Sequence, residues 1–321
     1  NVPKEILEKI EVLDEFIERE IKPLEGKNLQ FFDHRREHAR TDWENCGKPT
    51  KKWEALLQEM KKRADAAGHL RFALPKEIGG QNGSNLAMAM IREHFAHKGL
   101  GLHNDLQNES SIVGNFPLVH MMWQFGTDAQ KEEFLPALIT GSRRVGFGLT
   151  ERNHGSDATY METTAVKSGG EWVINGNKRF NSGIHDATHD LVFARTSGEP
   201  GEGMGITAFL VPVTTSGFNV EKMDWTFNIP TDHGSITLNG VRMPVSPESY
   251  LGEEGDGLVV AQTFLHENRI RQAASSLGAA QYCIDEAVAY AKDRITWGKS
   301  LATNQAIQFP LTELHTEAEM V

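Results

Sequence analysis

Several features that would assign a function class directly are missing from this chain of 321 residues. It has two cysteines, Cys46 and Cys283, without a CxxC spacing, so we expect neither a disulfide framework nor a zinc site, and a reducing compartment fits. No apolar run approaches the roughly 20 residues of a membrane span, and the charged N-terminal stretch lacks the apolar segment of a signal peptide. These absences predict a soluble intracellular protein without a metal site. They leave the compartment open among the bacterial cytoplasm, the mitochondrial matrix and the peroxisome.

The sequence also lacks an excess of positive charge and a glycine-rich dinucleotide loop. Its formal net charge is −11, which argues against nucleic acid as a partner, although local basic residues can still bind an anionic ligand. The glycine clusters at 201–205 and 252–257 do not have the GxGxxG spacing between a strand and a helix, and we interpret both as turns. A nucleotide cofactor would therefore have to be bound in another way.

The apolar residues that are present change their period twice along the chain. Spacings of three and four predict helices over the first part of the sequence, and a period of two with Gly, Pro, Asn and Asp between short apolar segments predicts strands after it. The helical period then returns and continues to the last residue. We predict an α+β fold with an N-terminal helical domain (1–144), a central antiparallel β domain (145–252) and the start of a C-terminal helical bundle (253–321).

Two segments of the predicted β domain carry the groups that one binding site would need. VGFGLTERNHGSD at 145–157 is a short apolar strand that ends in a hydroxyl, a carboxylate and a Gly-Ser turn. GGEWVINGNKRFNSG at 169–183 is a hairpin strand that carries Phe180 and Ser182. Taken alone, Thr150 and Ser182 are ordinary strand residues and Phe180 is a core residue, so these segments do not assign a function without their surroundings.

Five segments in one order resemble the acyl-CoA dehydrogenase family. They are LPKEIGG at 74–80, FGTDAQKEEFLPALITG at 125–141, GFGLTERNHGSD at 146–157, EWVINGNKRFNSG at 171–183, and the run from Asn268 that begins NRIRQAASSLGAAQ. Each segment alone is a weak signal, but five in register span most of the chain. The resemblance implies a flavoprotein with an N-terminal helical domain, a central β domain and a C-terminal helical domain, and with FAD between the last two.

The same resemblance implies which residues of the β segments bind the cofactor. Phe180 stands where the family usually has Trp and could stack on a ring face, and Ser182 stands where it usually has Thr and could donate to flavin N5. Ser156 matches a position close to both the pyrophosphate and the acyl-CoA. The loop at Arg152-Asn153-His154 departs from the family pattern, and His154 is interpreted as a loop side chain. The implied cofactor-binding residues here are Phe147, Leu149, Thr150, Ser156, Phe180, Asn181 and Ser182.

Three further residues are implied by the resemblance in the late helices. Arg269 matches an arginine near the thioester end of the substrate, so the implied substrate-binding residues are Ser156 and Arg269. Arg294 matches one that reaches the FAD of a neighbouring subunit, where a guanidinium suits a diphosphate. Gln305 lies in a match to another cofactor contact between subunits. The alternative for each is a solvated helix face. If Arg294 has this role, the protein is a homodimer or a homotetramer.

The catalytic base is the part of the family pattern that this chain does not supply. Most members carry the glutamate beyond the second long C-terminal helix, and a minority carry it at the position that is Asn268 here, which cannot accept a proton at neutral pH. Glu267 lies about 100° away around a helix and is a weak candidate. We expect the glutamate beyond residue 321, and the uncapped helical pattern at 317–321 suggests a truncated chain.

The resemblance implies an enzyme that oxidises an acyl-CoA to the trans-2-enoyl-CoA with FAD, in fatty acid metabolism, and passes the electrons to an electron-transferring flavoprotein. One alternative on the same scaffold is an acyl-CoA oxidase or a nitroalkane oxidase-like enzyme, because TERNHGSD with METTA after it also resembles oxidase loops. A second alternative is a non-catalytic acyl-CoA- or flavin-binding protein, which the missing base favours. The sequence leaves the acyl chain length open.

Overall fold

The computed structural model describes residues 2–33, 39–105, 110–226 and 229–321. These residues form two compact units. Unit 1 consists of Asn1–Leu29, Met60–Asn115 and Asn268–Val321, and unit 2 consists of Gln30–Glu59 and Phe116–Glu267. The predicted fold class is confirmed, since a helical N-terminal region, a central β region and a helical C-terminal region follow one another along the chain. The domain boundaries at 144 and 252 stay predictions.

The α-helices of the described residues are α1 Lys4–Phe16, α2 Lys22–Gly26, α3 Lys51–Ala66, α4 Asn85–His97, α5 Pro117–Phe125, α6 Asp128–Thr140, α7 Gly257–Asp293 and α8 Gln305–Glu319. The strands are β1 Thr41–Asp42, β2 Lys48–Pro49, β3 Asn104–Asp105, β4 Ser110–Ser111, β5 Val145–Gly148, β6 Thr164–Ser168, β7 Glu171–Ser182, β8 His189–Arg195, β9 Ile206–Pro212, β10 Phe218–Thr226, β11 Ile229–Pro244, β12 Tyr250–Leu251, β13 Ile295–Thr296 and β14 Lys299–Ser300. No helix in these ranges is both long enough and apolar enough to cross a bilayer.

Unit 1 is built from helices whose apolar faces meet. The Nε2 of His94 on α4 lies 2.9 Å from the Oδ1 of Asp14 on α1, and this contact links the two helices. Within this unit, α7 passes so close to α4 that a Cβ on Gly278 would overlap the main-chain carbonyl of Glu93, so only glycine fits there. Trp297 lies in the turn between β13 and β14, with a φ of 47° and a side chain that is fully exposed.

Unit 2 is organised around an eight-stranded sheet in the order β10-β11-β7-β6-β8-β9-β12, with β5 paired to β8 outside this path. Most neighbours are antiparallel, as predicted, but β5 and β6 both run parallel to β8. The β6–β7 hairpin supplies the crossover that a parallel β5–β8 pair requires. The core of the sheet consists of Ala165, Trp172, Ile174, Ile184, Val192, Ala194, Phe209, Val211, Phe218, Ile236, Leu238, Val241 and Met243.

Candidate functional site

The two segments that sequence reasoning selected lie side by side in unit 2. The main-chain N–H of Arg179 on β7 donates to the carbonyl oxygen of Thr150 at 2.8 Å, just beyond the end of β5. The Lys178 ammonium donates to the carbonyl oxygen of Leu149 at 3.2 Å. The end of β5 and the last third of β7 are therefore held as one surface.

A β-bulge in β7 determines which side chains this surface presents. Gly234 on β11 pairs with Asn181 and Ile236 pairs with Lys178, so two residues of β7 face one residue of β11 between these pairs. Phe180 lies in the bulge with a φ of 60°, a left-handed conformation that is uncommon for a residue other than glycine. Its ring is exposed, and the Arg179 guanidinium lies 4.6 Å from the ring centroid.

Three hydroxyl groups with free hydrogen-bonding capacity lie on the two segments that sequence reasoning selected. Ser182 follows Phe180 by two residues and is half-buried, and Thr150 is half-buried at the end of β5. Ser156 is exposed in the loop after β5. Within the described part of the chain, none of these three hydroxyls has a hydrogen-bond partner. An exposed aromatic face and unpaired hydroxyl donors suit a flat heteroaromatic cofactor, so the residues fit a flavin ring.

The Phe147 ring packs against other aromatic rings of the protein, whereas a ring that stacks on a ligand would need an open face. Its ring stacks on Phe264 of α7, with 3.9 Å between the ring centroids, and it meets Phe193 edge to face at 5.2 Å. The side chain therefore packs inside unit 2. The groups that remain for a ligand are the main chain of β5 and Thr150, two residues beyond the end of the strand.

A buried ion pair stabilises the residues that follow β5. Lys178 and Glu151 are fully buried, with 2.8 Å between the ammonium and the carboxylate. Burial alone raises the pKa of Glu151, but the Lys178 ammonium and the main-chain N–H groups of Glu162 and Thr163 together lower it below its usual value. Sequence reasoning did not select Lys178. Its spacing from Trp172 and Ile174 on β7 is even, which predicts that it faces inward with them.

A second buried polar pair lies behind Phe180 and Ser182. Asn181 and Asp190 are both completely buried, and the Asn181 amide donates to one oxygen of Asp190 at 2.5 Å. The remaining side-chain oxygens of both residues have no hydrogen-bond partner among the described residues. Burial raises the pKa of Asp190 to about 7, an effect that Asn181 and Lys178 partly oppose. Sequence reasoning selected Asn181 but missed Asp190, since a single acid in an apolar strand gives no signal of its own.

The residues considered for the catalytic base lie on α7. Asn268 is an amide, and its oxygen accepts from Asn115 at 3.2 Å and from Arg271 at 2.6 Å. Glu267 is half-buried in unit 2. Burial lowers the pKa of His120, and the charge of Glu267 partly opposes this effect. Asn268 therefore serves as a hydrogen-bond acceptor in unit 1. Of these two residues, Glu267 is the one with a carboxylate that could accept a proton.

The other predicted site residues belong to unit 1 and have exposed side chains. Arg269 follows Asn268 on α7, Arg294 follows the end of α7, and Gln305 is the first residue of α8. The main chain of Arg294 is fixed, because its carbonyl oxygen accepts from the N–H of Leu301 at 2.8 Å. Neither arginine forms an ion pair within the described residues. Both guanidinium groups are thus available for an anionic ligand.

Comparison with known proteins gives matches along nearly the whole chain. The acyl-CoA dehydrogenase N-terminal domain matches residues 8–142, the middle domain matches 146–241 and the C-terminal domain matches 255–321. An acyl-CoA dehydrogenase of Bacillus subtilis is 31% identical over 286 residues, which cover 88% of this chain and 73% of the relative. The caffeyl-CoA reductase-Etf complex subunit CarC of Acetobacterium woodii is 32% identical over 263 residues, which cover 82% of this chain and 67% of the relative.

The fold agrees with these matches. The structure of butyryl-CoA dehydrogenase from Megasphaera elsdenii superposes with a TM-score of 0.70 at 28% sequence identity, covering 100% of this chain and 77% of that one. The three domain matches in order, the identity to curated relatives and the shared fold all lead to one conclusion. The chain belongs to the acyl-CoA dehydrogenase family of FAD-dependent oxidoreductases.

Proposed function

We propose that the protein catalyses the α,β-dehydrogenation of an acyl-CoA thioester to the trans-2-enoyl-CoA. The observation that carries this proposal is the surface at the ends of β5 and β7, where an exposed Phe180 ring lies two residues from the unpaired hydroxyl of Ser182. The chemistry that FAD supplies when bound is the acceptance of a hydride from the β carbon of the substrate.

Each residue of this surface has a definite part in the proposal. The Phe180 ring covers one face of the flavin ring system. The Ser182 and Thr150 hydroxyls, together with main-chain groups at Phe147 and Leu149, orient its polar edge. Asn181 is buried, and it acts by holding β7 rather than by reaching the ligand itself. Ser156, exposed in the loop after β5, is available to the pyrophosphate and to the acyl-CoA.

The carboxylate that removes the α proton is proposed to come from beyond residue 321. Asn268 cannot accept a proton at neutral pH, and its oxygen is already occupied by Asn115 and Arg271. Glu267 points about 100° away around the helix and lies beside His120. The chain spans 73% and 67% of the two relatives described above.

The partners are also part of the proposal. Arg269 would lie near the thioester, and Arg294 and Gln305 would contact the FAD of a neighbouring subunit, which requires a homodimer or homotetramer. An electron-transferring flavoprotein is proposed as the electron acceptor. This partner is supported by the name of the Acetobacterium woodii relative, which is a subunit of a reductase-Etf complex.

The experiment that tests the proposal is an anaerobic titration of the purified full-length protein with a panel of acyl-CoAs, followed by the flavin spectrum. Bleaching of the oxidised flavin bands by one class of chain length would establish the reductive half-reaction and its substrate range. A Glu267→Gln variant that bleaches at an unchanged rate would support a base outside this chain, whereas loss of bleaching would make Glu267 the base.

Two other functions give different results in the same titration. Asn268, an amide at the position where some members carry the base, favours a non-catalytic acyl-CoA-binding protein. Such a protein would stay yellow and would only shift its spectrum. An oxidase would bleach but would recover its colour rapidly when oxygen is admitted. A colourless protein that gains no colour with added FAD would contradict the flavin assignment.

A further inference from the structure

The buried pair of Asn181 and Asp190 has an unusual hydrogen-bond inventory. One amide N–H of Asn181 donates to one oxygen of Asp190 at 2.5 Å. The second oxygen of Asp190 and the carbonyl oxygen of Asn181 are both buried acceptors without a partner in the described part of the chain. Two unpaired acceptors on one hydrogen-bonded pair of side chains are costly in a site closed to water. One proton on the free oxygen of Asp190 would supply the missing donor for Asn181.

The strands around the pair are shaped to hold it. Gly146 on β5 pairs with Asp190 on β8, and a Cβ on Gly146 would overlap the carboxyl group. A Cβ on Gly148 would lie 2.9 Å from the Asn181 amide nitrogen and 3.0 Å from the nearer carboxyl oxygen. Both glycines therefore leave the space that the planar amide and carboxyl groups occupy.

We propose that Asp190 is kept as the neutral carboxylic acid in the folded protein, that it forms two reciprocal hydrogen bonds with the Asn181 amide, and that this pair positions the β7 bulge for the cofactor. Asp190 and Asn181 are positioning residues in this proposal, since neither reaches the surface. The inference rests on the proposed roles of Phe180 and Ser182 in flavin binding.

The surroundings explain why the proton stays on Asp190. In the described residues, Lys178 on β7 is the charged side chain that acts on Asp190, and its ammonium is already paired with Glu151 at 2.8 Å. The register neighbours from the other strands carry no charge, since they are Gly146 on β5 and Val211 on β9. An ionised Asp190 would hold a negative charge that water cannot solvate, beside a side chain whose carbonyl oxygen has no partner. Ionisation is therefore unfavourable.

The pair acts on the site through the bulge. Asn181 lies between Phe180 and Ser182 on β7, so an amide that is fixed on both edges fixes the strand that carries the exposed ring and the hydroxyl. Ionisation of Asp190 would remove the hydrogen bond that it donates to Asn181. The Asn181 carbonyl oxygen would then face a carboxylate, and the two oxygens would repel each other. Binding of FAD should therefore weaken as the pH rises through about 7, where Asp190 loses its proton.

The protonation state is tested first, on the apoprotein, by infrared spectroscopy. Wild type at about pH 6 should show a carboxylic acid C=O band that is lost in Asp190→Asn. Asparagine has the same shape and can form both hydrogen bonds with Asn181 at every pH. The control is Asp186→Asn, which removes an exposed carboxylate four residues earlier and should leave the band unchanged. If Asp190→Asn leaves the band in place, the neutral-acid proposal is wrong.

The positioning role is tested by the FAD dissociation constant of the apoprotein at about pH 6 and about pH 8.5. Wild type should bind FAD about three- to tenfold more tightly at the lower pH, and Asp190→Asn should bind equally well at both. Equal pH dependence in wild type and Asp190→Asn would overturn the positioning role. A wild type that never binds FAD, but shows the acid band, would contradict the proposed function and leave the neutral acid supported.

Discussion

At the scale of single residues, the Ser182 hydroxyl lies half-buried on β7 without a partner in the described residues. Its removal in Ser182→Ala therefore breaks no internal hydrogen bond, and the free energy of unfolding should change by less than about 1 kcal/mol. If the hydroxyl donates to the flavin, the rate of flavin reduction by acyl-CoA should fall about tenfold or more. Stopped-flow reduction and urea unfolding measure the two effects.

The matched control for Ser182→Ala is Ser168→Ala, which removes an exposed hydroxyl at the end of β6 in the same sheet. This variant should alter neither the stability nor the reduction rate. A Ser182→Ala protein that unfolds easily would mean that the hydroxyl has a structural role, and an unchanged reduction rate would remove it from the site.

Asp190 makes the stability of the apoprotein depend on pH in a defined direction. Burial raises its pKa from 3.8 to about 7, so between these values the unfolded chain loses this proton while the folded chain keeps it. The folded state then binds more protons, so the contribution of this group to the free energy of unfolding falls as the pH rises through this window and is constant above it. Below the window both states are protonated and the full contribution is present.

The measurement is the free energy of urea unfolding against pH for wild type and for Asp190→Asn. The variant has no proton to lose, so its stability relative to wild type should increase steadily from about pH 4 to about pH 7. Asp186→Asn should run parallel to wild type over this range. A constant difference between wild type and Asp190→Asn would contradict the raised pKa.

At the scale of elements, the bulge in β7 reverses the face on which the following side chains point. Trp172, Ile174 and Lys178 face inward with even spacing, and an unbroken strand would have placed Phe180 inward as well. The extra residue instead exposes Phe180 and buries Asn181. The exposed face of the candidate site therefore depends on one backbone irregularity.

Replacement of Phe180 by glycine separates this backbone geometry from the ring. Relief of the left-handed φ and the added freedom of the unfolded chain nearly cancel, so Phe180→Gly should change the free energy of unfolding by less than about 1 kcal/mol. Loss of the aromatic face should weaken FAD binding about three- to tenfold. Fluorescence titration of the apoprotein with FAD measures the affinity, and Phe180→Trp, which keeps an aromatic face, should bind like wild type. Equal affinity of the glycine variant would exclude stacking.

The sequence predicted those parts of the elements that periodicity encodes. The change from a helical period to a period of two and back placed the β region correctly, because burial of one face repeats at a fixed interval. The parallel β5–β8 pair was not predictable in this way, since alternation fixes which side chains are buried but not which strand lies alongside or in which direction.

The candidate site was predictable only in part. The motif match selected the β5 and β7 segments, and the structure brings them together through the Arg179 to Thr150 hydrogen bond. The motif match could not show that Asn181 points inward, because the bulge arises from pairing with β11, which lies far along the chain. Asp190 was missed for a similar reason: its meaning depends on Asn181 and Gly146, which meet it only in the folded sheet.

At the scale of the whole molecule, Arg294 provides the test of assembly. Its exposed guanidinium has no ion-pair partner in the described residues, so its removal should cost the monomer fold little. If it binds the diphosphate of a neighbouring subunit's FAD, Arg294→Ala should lower FAD affinity about tenfold or more, since charge-assisted hydrogen bonds contribute about 1.5–3 kcal/mol. The FAD-to-protein ratio after gel filtration and the mass by light scattering measure both effects.

Lys292→Ala is the control for Arg294→Ala, because it removes an exposed positive charge two residues earlier on α7. It should leave the flavin content and the mass unchanged. Equal flavin content in wild type and Arg294→Ala would remove this arginine from the cofactor site, whatever the oligomeric state.

The fully exposed indole of Trp297, held in a tight turn, gives the molecule an intrinsic optical probe. In dilute solution its emission should lie at the long wavelengths of an indole in water. If a second copy or a bound cofactor covers the turn, the emission should move to shorter wavelength as protein or FAD is added, and Trp297→Phe should abolish the change. An emission that stays constant over the same range would mean that this turn remains in contact with solvent in the assembled protein. Assembly could thus be followed by light alone, without a label.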